Sequence, residues 1–246
     1  MAGIVDHLFC QLDAVDVAAH AAWRNASWSG ARPRTTDLGD FVQALHRHLR
    51  ADSSDLVGAG VVFAPHALAD ADLAIEWWHR PTQDSRELVR MTVVLDPASE
   101  QFYDYPALPW FTDTRDSLRP TVVGPFVDLH GTGVTSLTFS RPFMIDGEFR
   151  GVTTADVALT NFERKMRKHL RPLGEAAVVN DEKRVIVSTA PTWTPGTLIR
   201  GIPDVEGRYF AAPVPSSAVS WIILGTNAQV LTSEVPPPGA NSSDVS

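Results

Sequence analysis

The stretch "TSLTFSRPFMIDGEFRGVTTADVAL", Thr135–Leu159, carries the strongest local signal in the chain. Two strand-like runs flank Asp146-Gly147. That dipeptide suits the two positive-φ positions of a type I′ turn, so the runs read as the arms of an antiparallel hairpin. Counted outward from the turn with no bulge, Phe143 faces Arg150, Arg141 faces Val152, Phe139 faces Thr154 and Leu137 faces Asp156. Side chains alternate between faces with period two. Arg141 and Asp156 then share a largely apolar face with Leu137, Phe139 and Thr154, roughly 13 Å apart along the strands. Thr138, Ser140, Gly151, Thr153 and Ala155 fall on the other. Charges on a buried face are costly unless met. They are expected to meet other protein charges, to reach solvent, or to be completed by a zwitterionic or polar ligand.

Upstream, Leu8, Leu12, Val15, Ala19, Ala22 and Trp23 recur at steps of three and four, which predicts a helix over residues 4–25. "NASWSGARPR" breaks it. Thr36 or Asp37 is placed to cap a second helix with Leu38, Phe41, Val42, Leu45 and Leu49 on its buried side. His46 and His48 point to different sides of that helix, a poor metal pair, and are expected on solvated surface. From about residue 55 the period becomes that of strands, in "LVGAGVVFAP", "LAIEWWHR" and "ELVRMTVVL". Glu76 and Trp78 share one face of their strand. Downstream, "TNFERKMRKHLRPLG" reads as a helix capped by Thr160 or Asn161, striped by Phe162, Met166 and Leu170, and ended by Pro172 and Gly174. "EAAVVNDEKRVIVST" forms a second hairpin, and "RYFAAPVPSSAVSWIILG" two more strands. The final "SEVPPPGANSSDVS" has the composition of a disordered tail. Consecutive hairpins without βαβ alternation predict an α+β fold: N-terminal helices, a larger antiparallel unit, a connecting helix and a smaller antiparallel unit.

The totals exclude some functions. The chain has 246 residues, is 44% hydrophobic and 20% charged, and carries a formal charge of −8, with an isoelectric point near 5.4. No Lys/Arg cluster follows an aromatic groove, so nucleic acid is not an expected partner. The one cysteine, Cys10, leaves no internal disulfide and suits a reducing compartment; it is expected as a small core residue of the first helix. No run approaches the ~20 apolar residues of a membrane span, and the acidic N-terminus lacks the pattern of a secretory signal. The expectation is a cytoplasmic protein. Nucleotide, phosphate and metalloprotease signatures are absent from the sequence, Gly58-x-Gly60 and Gly131-x-Gly133 lack a third glycine, and His66 with Asp70 supplies only two ligands. Neither a metal nor a cofactor is expected.

"FYDYPALPWF", Phe102–Phe111, places five aromatics around two prolines. It reads as a rigid loop, too irregular for a helix and too rich in proline for a central strand. Aromatic rings around a cleft give shape and stacking, and would suit a cation. Phe102 and Tyr105 are assigned to core packing.

Taken with "VGPFVDLHGTG", "RPFMIDGEFRGVTTADVAL" and "GEAAVVNDEKRVIVST", this loop resembles the Cache family of small-molecule sensor domains, in the double-Cache arrangement. The resemblance spans roughly residues 55–225. It implies two PAS-like antiparallel modules, the second smaller: a helical segment at 1–54, a ligand-binding module at 55–160, a helix with the smaller module at 161–231, and a tail at 232–246. It implies a non-enzymatic sensor that binds amines, amino acids or carboxylates. The amino-acid-binding pattern of the family falls on Tyr103, Trp110 and Asp156, with Asp156 on the ligand's amine, and favours the pocket for Tyr103 and Trp110. Its arginine position is Leu108, its second tyrosine Phe111 and its later tyrosine Phe126. Arg141 and Arg115, and less so His130, are then candidates for a carboxylate. Without one, an amine would sit in a box of Tyr103, Trp110 and Trp78 against Asp156. Phe126, Asp128 and His130 complete the candidate set.

The reading is therefore a sensor for a small polar metabolite, acting through a signalling partner or a homodimer made by the N-terminal helices, with no membrane span of its own. Two alternatives stand beside it: a hydrolase or isomerase using Asp156 and His130, which needs both within ~3 Å of one substrate, and an interaction module whose aromatic cluster is core.

Overall fold

The computed structural model describes residues 2–28, 30–82, 85–127, 133–199 and 209–227. It begins with helix α1 (Ala2–Ala26) and α2 (Gly39–Arg50). Their apolar stripes, Val5, Leu8, Leu12, Val15, Ala19 and Trp23 on α1 and Phe41, Leu45 and Leu49 on α2, are buried. Cys10 is exposed on the opposite face of α1, so it is not a core residue. Asp37 does not cap α2. Its carboxylate accepts the Arg34 backbone N–H at 2.8 Å in the 3-10 turn ahead of the helix. His46 and His48 are half-buried rather than solvated. His46 stands edge-on to Trp78, ring centroids 4.2 Å apart, and burial lowers the pKa of both imidazoles.

A six-stranded sheet follows, made of β1 (Gly58–Phe63), β2 (Ile75–His79), β3 (Val89–Arg90), β4 (Thr121–Val127), β5 (Thr135–Ile145) and β6 (Glu148–Ala158). Its spatial order is β3-β2-β1-β6-β5-β4, and every pairing is antiparallel. Helices α1 and α2 pack on one face. Helix α3 (Pro109–Ser117) lies against β4, β5 and β6. Helix α4 (Leu159–Leu170) leads to a second antiparallel sheet of β7 (Ala176–Val179), β8 (Val185–Ser188), β9 (Phe210–Pro213) and β10 (Ile222–Gly225), ordered β8-β7-β10-β9. The cap expected at Thr160 or Asn161 sits earlier, at Ala158, and Asn161 instead accepts from Arg164 within the helix. One contiguous core joins α1, α2, the helix-side face of the large sheet, α4 and the inner side of the small sheet.

The hairpin turn has the expected form, with φ of 51° at Asp146 and 81° at Gly147. The register beyond it differs. Met144 pairs with Phe149, but Phe143 pairs with Gly151, so Arg150 is an extra residue on β6. This bulge moves the pairing by one: Arg141 faces Thr153, Phe139 faces Ala155 and Thr138 faces Asp156. Every side chain of β6 beyond it thereby changes neighbours relative to the unbulged count. Gly151 makes the bulge feasible. Its φ is 146°, and a Cβ there would lie 2.2 Å from the Val62 carbonyl oxygen.

His20 fastens α1 to this hairpin. Its Nε2 donates to the Met144 carbonyl and its Nδ1 to the Asp16 carbonyl, both at 2.9 Å, and Asp16 Oδ2 lies 3.2 Å from Nδ1. Two carbonyl acceptors need both ring nitrogens protonated. The side-chain hydrogen bond to Asp16 outweighs burial and raises the pKa from 6.5 to about 9.

Two outcomes test this account. Gly151→Ala should destabilise the fold by about 2–4 kcal/mol, read from urea denaturation, since strain and a backbone clash act together. The His20 contribution is fully present below pH 6.5 and is lost as pH rises through about 9. Unfolding free energy should thus fall between those values, and His20→Gln should flatten the fall.

Candidate functional site

On the face of the large sheet away from α1 and α2 lies a cavity of about 710 Å³. The strands that floor it owe their arrangement to small residues. Gly58 and Gly60 of β1 leave room for β2 to settle closely. A Cβ on Gly60 would stand 2.1 Å from the Glu76 carbonyl oxygen, and one on Gly58 would stand 3.0 Å from the Trp77 indole. Gly58-x-Gly60 therefore serves strand packing, and the Trp77 ring lies beside Gly58, whose pairing partner on β6 is Asp156.

"FYDYPALPWF" is only partly a loop. A 3-10 turn covers Tyr105–Ala107, and α3 begins at Pro109 with proline in its first turn, where no backbone donor is lost. Tyr105 is fully buried and donates from its hydroxyl to the Phe63 carbonyl at 2.7 Å. Desolvation pushes that hydroxyl up to about 12, so it remains a donor. Phe111 packs edge-on against Tyr105, Trp110 and Phe149. With these two rings fixed in the core, Tyr103, Trp110 and also Phe102 line the cavity. The assignment of Tyr105 to core packing agrees with the structure; that of Phe102 does not.

Asp156 forms part of the wall and is 4% exposed. Thr138 donates its hydroxyl to Asp156 Oδ1 at 2.6 Å. Thr154, Phe126 and Leu108 lie on the same wall. Among the described lining residues, Asp104, Asp156 and Glu182 are acidic and only Arg184 is basic. An acidic group held in low-dielectric aromatic surroundings favours a cation. Among the described residues, no three His, Cys, Asp or Glu side chains gather to hold a metal ion.

Three sequence candidates lie elsewhere. Arg141 is on the opposite face because of the bulge; its Nε meets Asp13 of α1 at 2.6 Å and its guanidinium lies over Phe9. Trp78 shares the helix-side face with Glu76, as its alternation requires, and donates to the Glu76 carboxylate at 2.6 Å, while Arg90 meets the same carboxylate at 2.7 Å. Arg115 is on the outer side of α3, paired with its neighbour Asp116 at 2.7 Å. Asp128 and His130 fall outside the described residues. Sequence reasoning missed Trp77, Thr138, Thr154 and Arg184. The signal for Thr138 was Gly151, since a glycine inside a strand marks a bulge; Thr154 already shared the face of Asp156 in the unbulged count.

Residues 43–164 match the family model described as methyl-accepting chemotaxis protein-like, first PDC sensor domain. No curated protein matches the chain. Among solved structures, "Methyl-accepting Chemotaxis protein X" aligns with a TM-score of 0.60 at 12% identity, covering 89% of this chain and 91% of its own. The ligand-binding domain of the Pseudomonas fluorescens chemoreceptor CtaA, in complex with L-valine, aligns with a TM-score of 0.53 at 15% identity, covering 87% of each chain. At these identities the structural likeness speaks for the fold. With the family match, it makes segment 43–164 a sensor domain of the Cache/PDC type.

Thr138→Val keeps the side-chain shape but removes the hydroxyl that Asp156 accepts. It should lower the unfolding free energy by about 1–3 kcal/mol in urea denaturation, the cost of losing one hydrogen bond to a buried carboxylate.

Proposed function

We propose that the cavity over the large sheet binds a small organic cation, an amine or amino-acid derivative, without chemical turnover, and that occupancy is read out as a signal. The carrying observation is Asp156: a carboxylate 4% exposed, set in a wall with Trp110, Tyr103, Phe126 and Trp77. An ammonium there would gain the carboxylate as counter-ion and ring faces as further partners. The family match to a chemoreceptor sensor domain supports the reading, as does the L-valine complex of the CtaA domain, whose fold is similar.

In this reading the two sheets are the two modules of a double-Cache arrangement, with the ligand module at 55–160 and the smaller module at 161–231. A ligand shifts a conformational equilibrium only by its differential affinity for the two states. The aromatic segment ahead of α3 is the element that can tighten around it, since Tyr103 and Trp110 flank the fixed Tyr105. The sheet face behind Asp156 packs on α1, which is the proposed route to a partner or second copy.

The test is a thermal-shift and calorimetric screen of amines and amino acids, L-valine included. A compound at 100 times its dissociation constant should add ~2.7 kcal/mol of stability. Asp156→Asn should weaken the hit by about 3 kcal/mol, on the order of 150-fold, because a buried charge partner is removed. Trp110→Ala should weaken it about tenfold or more. Binding that ignores Asp156→Asn, or the absence of any hit among cations, would refute the amine site.

A further inference from the structure

The cavity is walled by both sheets. The turn between β7 and β8 brings Glu182 and Arg184 to the same space that Asp156 lines. That turn is held in place. Asn180 Nδ2 donates to the Gly124 carbonyl of β4 at 3.2 Å, and Asn180 Oδ1 accepts the Arg184 backbone N–H at 2.8 Å. Arg184 Nη1 donates to the Gly196 carbonyl at 2.8 Å, and its Nε lies 3.5 Å from the Glu182 carboxylate. The Arg184 side chain is partly exposed, whereas Asp156 is buried, and both line the cavity.

We propose that Arg184 is a ligand-binding residue supplied by the second sheet, taking the carboxylate of a zwitterion whose ammonium meets Asp156. This rests on the reading of the cavity as an amine site and narrows its ligand class to amino acids and longer amino carboxylates. A guanidinium anchored at one nitrogen presents its remaining N–H groups in a fixed plane, the geometry that suits a carboxylate. Glu182 holds the guanidinium only loosely and exposed, so an incoming carboxylate competes with a weak partner. Among the other described lining residues none is basic, so they offer an anion only neutral donors. A ligand held at both ends would join the large sheet to the β7–β8 turn, so affinity and the contact between the sheets rise together.

The experiment is isothermal titration of the full chain with two probe pairs: L-valine against 2-methylpropylamine, and 4-aminobutanoate against propylamine. Within each pair the second lacks the carboxylate. In the unsubstituted protein at least one amino acid should bind tenfold or more tighter than its amine. Arg184→Gln should bring that amino acid to within about twofold of the amine while leaving the amine unchanged, and Arg184→Lys should restore part of the difference. An unliganded melting midpoint within about 2 °C shows the variants folded. Equal discrimination with and without Arg184 would overturn the proposal while leaving the amine site standing. If the amines bind and the amino acids bind no better, it is likewise overturned. If none of the four probes binds, or binding survives Asp156→Asn, the amine-site reading fails and this proposal falls with it.

Discussion

Arg150 is passed over by the ladder between β5 and β6, and the two faces of the large sheet follow from that. Because side chains alternate along a strand, one extra residue changes which positions of β5 and β6 stand together. With the bulge, Asp156 and Thr154 join Thr138 over the cavity, while Phe139 and Arg141 turn toward α1. Without it, Asp156 would sit among Leu137, Phe139 and Arg141, against a helix. The bulge depends in turn on Gly151, whose Cα passes so close to β1 that no side chain fits. A single missing methyl group thus decides where the negative charge stands.

The two faces treat charge differently. On the helix side, Glu76 is nearly buried but receives both Arg90 and the Trp78 indole N–H, and Arg141 is met by Asp13. Each charge there finds an opposite charge from its own protein, the arrangement by which burial becomes affordable. On the cavity side, the contacts of Asp156 include the Thr138 hydroxyl, and the carboxylate borders open volume lined by rings. A helix-side pair stabilises or at least does not penalise the fold. A carboxylate beside a cavity stands where a cation entering from solvent would reach it, as the proposed amine site requires.

Much of the fold was legible because its signals are local. Asp146-Gly147 announced the hairpin, the three- and four-residue steps from Leu8 to Trp23 announced α1, and Pro172 with Gly174 marked the end of α4. Tyr103, Trp110, Phe126 and Asp156, singled out on residue type and resemblance, do stand around one cavity. What stayed hidden depends on partners remote in sequence. Trp77 and Trp78 are equally plausible wall residues until the pairing of β2 with β1 is known, and Gly60 opposite Trp77 settles it. Arg115 looked available because its neutraliser, Asp116, was not weighed. Cys10 looked apolar, but it falls outside the stripe that runs from Val5 to Trp23. Arg184 carried no signal at all, since nothing in "NDEKRV" states that this turn reaches another sheet.

That last contact bears on how a sensor of this build could work. The Gly124 carbonyl accepts from Asn180, and Val123 and Gly124 of β4 line both the main cavity and a second one of about 600 Å³ between the sheets, which also touches Asn180, Asp181 and Glu182. β4 is irregular there: its register against β5 shifts between Val123 and Phe126. An irregular edge strand has fewer ladder bonds to hold it than a regular one, so it is the cheaper part of the sheet to displace. The core beneath, continuous from α1 to the small sheet, resists gradual deformation because it is close-packed. Under the proposed bridging mode, a ligand pulling the β7–β8 turn toward Asp156 would therefore act first on β4. The response passed to the rest of the molecule would be a change between two packings of the sheets rather than a graded strain.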